Sequence, residues 1–140
     1  MSTEQAVRDA NARFYQAFNQ GDLMLMQAVW QQSDSVACIH PGWEILRGFD
    51  YIIKSWESIF SGSENLEIKL SDIEVCGDSG ELVWVGCQEN LFSLSTAGVQ
   101  LSKVHATNLF KKEGEHWKMI LHHASSVPQK MSRQDQISSN

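Results

Sequence analysis

Apolar residues recur at steps of three and four through Val7, Ala10, Phe14, Ala17 and Phe18, which aligns them along one face of an α-helix. Ser2 with Gln5 three residues on has the form of a capping box, and Gly21 supplies a C-terminal stop. Asp22 then caps a short second helix carrying Leu23, Met26, Val29 and Trp30, so the turn between the two makes a helical hairpin. The period changes at Ser35–His40, a short β-prone run halted by Pro41-Gly42. Gly48 opens a third helix with Ile52, Ile53, Trp56, Ile59 and Phe60 as its apolar stripe. From Leu66 onward polar and apolar residues alternate. The parity changes near Ser71-Asp72, which predicts a bulge there. Three long strands follow, over about 80–95, 99–112 and 115–127.

Two hairpin turns set an expected register. A loop at Lys112-Glu113-Gly114-Glu115 pairs Phe110 with Trp117, Asn108 with Met119 and His105 with His122. A three-residue loop, Thr96-Ala97-Gly98, pairs Asn108 with Gly86, Ala106 with Gln88 and His105 with Glu89. One sheet face then carries Trp84, Gly86, Gln88, Asn90, Ala106, Asn108, Phe110, Trp117, Met119, Leu121 and His123, an apolar surface with a few uncharged polar groups, suited to a ligand cavity. The other carries Val83, Val85, Cys87, Glu89, His105, Thr107, Lys118, Ile120 and His122. Both faces are partly apolar, so helices are expected over one and a second copy of the chain over the other.

Composition narrows the class. The 140 residues fit one domain, with 42% hydrophobic and 20% charged residues. Eleven basic against seventeen acidic residues give a net charge of −6 and no basic face for nucleic acid. No apolar run approaches membrane-spanning length, and the polar, acidic start Met1–Gln5 lacks a signal-peptide pattern. Cys38, Cys76 and Cys87 are odd in number and fit no CxxC spacing, which reads as free thiols in a reducing cytoplasm. Residues 128–140 are polar and aperiodic, and are expected to form a flexible tail after a domain at 1–127.

The order of motifs then becomes informative. Phe14-Tyr15-Gln16-Ala17-Phe18-Asn19-Gln20-Gly21-Asp22, His40-Pro41-Gly42-Trp43, Arg47-Gly48, Thr107-Asn108-Leu109-Phe110, Trp117-Lys118 and His122-His123-Ala124-Ser125 occur in that order. The chain resembles the nuclear transport factor 2-like superfamily, in its SnoaL-like and kinase-association-domain-like branches, over about residues 3–127. The resemblance implies an α+β cone: a strongly bent antiparallel sheet, three helices closing a concave apolar pocket, and dimerisation across the outer face. The superfamily holds isomerases, cyclases, dehydratases and non-catalytic modules, so fold alone does not decide activity.

Compared with the steroid isomerases, His40 stands at the position of the catalytic Asp, Phe14 at that of the oxyanion-holding Tyr, and Ala106 at that of the protonated Asp. Two of three groups are missing, which disfavours steroid isomerisation. Compared with the kinase association domains, Gly86 and Asn108 replace the two pocket arginines, which disfavours a small carboxylate there.

The expected pocket therefore comprises Phe14, Phe18, His40, Trp56, Trp84, Gln88, Asn108, Met119 and His123, with His40 as the candidate acid–base group. The first functional reading is a binding module for a small, mostly apolar organic molecule. The rival is an isomerase, cyclase or dehydratase working through His40, and a third is a dimerising domain without catalysis. Glu89, His105 and His122 are expected in one row, better read as a cross-strand contact at the dimer face than as metal ligands. No metal or other cofactor, no nucleic acid and no membrane is expected, and the partner is a second copy of the chain.

Overall fold

The computed structural model describes residues 2–62, 66–77 and 80–128. Of the expected tail, only Pro128 lies within the described residues. Helix α1 (Thr3–Gln20) begins where Ser2 Oγ accepts the Gln5 N–H at 3.1 Å. The Gln5 side chain reaches forward to Asp9 Oδ1 instead of back, so half of the capping box forms. Gly21 takes the left-handed conformation (φ 60°) that ends α1, a conformation costly for a residue with a Cβ. Asp22 Oδ1 caps the Leu25 N–H at 3.0 Å and starts α2 (Leu23–Val29).

Strands β1 (Ala37–Ile39) and β2 (Leu46–Arg47) flank the Pro41-Gly42 turn, and α3 (Phe49–Gly62) follows. Then come β3 (Leu66–Cys76), β4 (Leu82–Ser95), β5 (Gly98–Glu113) and β6 (His116–Ser126). The six strands form one open sheet in the order β2-β1-β6-β5-β4-β3. Its long strands are antiparallel, and the short β1 lies parallel to β6. The bulge in β3 falls between Ser71 and Glu74, with Asp72 at φ 52°. The helices cover one face, where Val7, Phe14, Trp30, Ile52, Val83, Val85, Phe110 and Met119 make the core. Among the described residues, no helix is long and apolar enough to cross a membrane.

The registers differ from the expected ones, and the difference has consequences. The β4–β5 loop is the two residues Thr96-Ala97, with Ser95 opposite Gly98. Asn108 is therefore paired with Val85, and His105 with Gln88. A one-residue slip moves a whole strand's side chains to the other face. Val83, Val85, Cys87 and Glu89 consequently face the helices and are buried, while Trp84, Gly86, Gln88 and Asn90 lie outside.

The β5–β6 loop is Gly114-Glu115, with Glu113 opposite His116. That shift keeps Trp117 and Met119 inside. A bulge between Leu109 and Phe110 then leaves Ile120 unpaired and swaps the faces beyond it. His122 and Ala124 turn inward; His123 turns outward. The expected dimer face is thus largely the core, and the expected row Glu89–His105–His122 is broken: Glu89 and His122 are buried, His105 is exposed.

Candidate functional site

A cavity of about 250 Å³ opens between α1, α3, the end of β1 and the inner face of the sheet. Phe14 and Phe18 of α1, Trp56 and Ile59 of α3, and Leu91 and Val104 of the sheet form its apolar walls. His40, Glu89 and His122 supply its ionisable groups, and Trp43 stands at its rim. The volume is somewhat below that of drug-sized ligand sites.

Behind the wall lies a buried polar network that α1 and the sheet build together. Asn11 and Tyr15 sit four residues apart on α1, on the same side as Val7 and Phe14. Tyr15 donates its hydroxyl proton to Glu89 Oε2 at 2.6 Å. The Asn108 amide donates to Asn11 Oδ1 at 2.8 Å and to the Tyr15 hydroxyl oxygen at 3.0 Å. Its carbonyl oxygen then remains to accept from His122 Nδ1 at 2.6 Å. Both Asn108 and His122 are fully or almost fully buried, so every polar group needs a partner, and these groups find one another.

The network assigns the tautomers of two imidazoles. Since the Asn108 oxygen only accepts, His122 carries its proton on Nδ1 and its lone pair on Nε2. Ser55 Oγ already donates to the Ile52 carbonyl at 2.6 Å, so His40 Nε2 must be the donor across the 2.8 Å contact to Ser55. Its lone pair is on Nδ1. Trp56 packs edge-on against His40 at 4.6 Å between ring centroids, and Trp43 does so at 4.7 Å.

Burial decides the charges. It lowers His40 from 6.5 to about 4 and, with the neighbouring His40 and His123, lowers His122 to about 3. Both imidazoles are neutral at pH 7. Burial also raises Glu89 from 4.5 to about 7, against the Tyr15 hydrogen bond, which favours the carboxylate. Burial and the adjacent carboxylate push the Tyr15 phenol well above its usual value, so it stays protonated. Glu89 is therefore the group at the wall that exchanges a proton near neutral pH. Its Oε1 has no protein partner among the described residues, and neither has the indole N–H of Trp56.

Of the residues expected here, Phe14, Phe18, His40 and Trp56 line the cavity. Asn108 and Met119 are buried on the same face without lining it, Asn108 as the hub of the network. Trp84, Gln88 and His123 lie on the outer face; Trp84 is 41% exposed, and Gln88 bonds to Asn90. The β4–β5 slip displaces Trp84 and Gln88, and the bulge at Ile120 displaces His123. Tyr15, next to Phe14 on α1, also reaches the site. Asn11 and Ser55 were not foreseen. Among the described residues, no group of three His, Cys, Asp or Glu is placed to hold a metal.

Helices over one face of an open mixed sheet, enclosing an apolar cavity with a few buried polar groups, define a class of α+β domain. The SnoaL-like domain family model matches residues 7–130, and the chain belongs to that family. A candidate dehydratase of the NTF2-like family from Streptomyces avermitilis superposes with a TM-score of 0.82 at 29% identity, over 89% of this chain and 97% of that one. A candidate calcium/calmodulin-dependent protein kinase type II association domain from Thiobacillus denitrificans gives 0.76 at 30% identity, over 85% and 93%. The chain is also 25% identical over 124 residues to the F-box protein SKIP8 of Arabidopsis thaliana, covering 89% of its own length and 51% of that protein's. It thus spans about half of that curated relative.

Proposed function

We propose that the cavity binds a small, neutral, mostly apolar molecule and moves a proton on it, as a dehydratase or isomerase does, with Glu89 as the proton-transferring group. One observation carries this reading: a buried carboxyl at the cavity wall, held by Tyr15, with its affinity for a proton matched to neutral pH. A general base works best when its pKa lies near the operating pH. His40, the first candidate from sequence, is a weaker base at about 4, and its single proton is committed to Ser55. Proton transfer therefore falls to Glu89, and His40 shapes the wall. The candidate dehydratase of similar fold is consistent with this chemistry.

The free groups suggest a β-hydroxy carbonyl compound. The Trp56 N–H offers a donor for a carbonyl oxygen, and the His122 Nε2 lone pair accepts from a hydroxyl. Glu89 as carboxylate takes the proton from the carbon next to the carbonyl. The same proton then passes to the departing hydroxyl, the C–O bond breaks, and an enone and water leave. Glu89 ends as it began. If the electron pair is reprotonated elsewhere on the molecule, the outcome is isomerisation.

The test uses 4-hydroxy-2-butanone and 3-hydroxycyclohexanone in deuterated buffer. NMR should show protein-catalysed exchange at the α-carbon or loss of water, and Glu89→Gln should abolish it. No catalysis with either compound, or equal rates in Glu89→Gln, would overturn the reading.

We propose a homodimer across the outer sheet face, where Trp84, Leu94, Val99 and Leu101 are exposed, an apolar surface that a second copy would cover. The three free thiols favour a reducing compartment such as the cytoplasm.

A further inference from the structure

A second cavity, of about 320 Å³, lies between α1, α2 and the start of β6, and shares no lining residue with the first. Its floor is apolar: Ala10, Val29 and Trp117 are buried there, with Leu25 beside them. Its rim carries a guanidinium, an ammonium and an imidazole. Arg13 projects from α1, and His116 and Lys118 come from β6. Among the described residues, no carboxylate lines this cleft, in a chain whose net charge is −6.

The rim groups are differently engaged. Lys118 Nζ donates to the Ala28 carbonyl at 2.6 Å, which fixes its ammonium at the edge of the cleft and leaves further N–H donors. Arg13 is exposed and pairs with no carboxylate among the described residues. A guanidinium from α1 and an ammonium from β6 beside an apolar slot match a carboxylate head with a hydrocarbon body. A neutral apolar molecule would bring no counter-charge to the rim, and a bare inorganic anion would leave the apolar slot unfilled.

We infer that the cleft bounded by Arg13, His116, Lys118 and Trp117 is a second ligand site, which takes a small organic carboxylate with a short-chain or aryl body. It goes beyond the acid–base reading and stands or falls independently, because the two cavities have no residue in common. It also reverses the preference of the first cavity, whose Glu89 would repel an anion once ionised.

The experiment titrates the full chain with hexanoate and with 1-hexanol, following the indole N–H signals by NMR. Hexanoate should shift the Trp117 indole saturably, and 1-hexanol should bind about ten-fold more weakly or worse, the scale of a charge-assisted hydrogen bond. Arg13 is exposed, so Arg13→Gln should leave the fold intact while weakening hexanoate by about ten-fold. Glu89→Gln should leave hexanoate binding at Trp117 unchanged. Equal binding of the acid and the alcohol, no effect of Arg13→Gln, no saturable shift of Trp117, or shifts confined to Trp43 and Trp56 would each overturn the inference.

Discussion

Both faces of the sheet carry large apolar residues and yet behave oppositely. On the inner face, Val83, Val85 and Cys87 are buried under α1, and the polar residues among them are bonded to one another. On the outer face, Trp84 and Leu101 remain exposed, and Gln88 and Asn90 pair locally or with Ser71. The inner polar groups have no water to fall back on, so their geometry is over-determined. The outer ones can exchange their partners for solvent. A site that must hold a proton donor and acceptor in place belongs on the first kind of surface.

Substitutions at adjacent positions should break this contrast most sharply. Val85→Glu puts a charge into the fully buried face and should destabilise the chain by more than about 4 kcal/mol; chemical denaturation measures it. Trp84→Glu, one residue away, should leave the circular dichroism of the fold unchanged. A folded Val85→Glu variant would show the inner face to be wetter than described.

Asn108→Leu should come next. It leaves His122 Nδ1–H, Asn11 Oδ1 and the Tyr15 hydroxyl short of a partner. A loss of about 3 kcal/mol follows if the groups relax only partly, again read from a denaturation curve. The effect should fall on stability as well as on ligand binding, because Asn108 stands behind the cavity wall.

Glu89→Gln should act through pH. The unfolded carboxyl titrates near 4.5 and the folded one at about 7, so the folded chain holds an extra proton between those values. Wild-type stability therefore receives a falling contribution as pH rises through that window. The Gln variant lacks it, and its advantage should grow from pH 4.5 to 7 and persist above, on the order of 3 kcal/mol. His40 and His122 work in the opposite sense. Their folded values lie below the unfolded 6.5, so stability is lost as pH falls below 6.5 toward 4. Thermal unfolding of wild type and variant across pH 4–8 separates the two contributions.

The smallest effect on the fold is expected at the outer face. Leu101→Glu should change stability of the protomer by no more than about 0.5 kcal/mol while converting a dimer to a monomer in analytical ultracentrifugation. A wild-type monomer at micromolar concentration would contradict the proposed interface.

Much of this molecule was legible in its sequence. The helical stripe from Val7, the caps at Ser2, Gly21 and Asp22, and the bulge at Ser71 and Asp72 all stand where local chemistry puts them. Local rules suffice for such features because each depends on a few neighbouring residues. The register of long hairpins does not. Thr96-Ala97-Gly98 is compatible with a two- or a three-residue loop, and that single residue exchanges Trp84 and Gln88 for Val85 and Glu89. The bulge at Ile120 has no local signature and exchanges His123 for His122. Two signals were nevertheless present. Glu89 shares its parity with Val83, Val85 and Cys87, a more uniformly apolar set than Trp84, Gly86 and Gln88. Asn11 and Tyr15 follow Val7 at helical spacing, on the side that packs inward. Polar residues in step with an apolar stripe mark a buried network.

The most direct test of the acid–base account is the titration of Glu89 itself, by carbon-detected NMR of its side-chain carboxyl. A midpoint near pH 7 that rises further in Tyr15→Phe matches a buried carboxyl that Tyr15 holds toward its charged form. A midpoint near 4.5 would describe an ordinary solvated carboxylate, and would contradict the proposal that Glu89 transfers a proton at neutral pH.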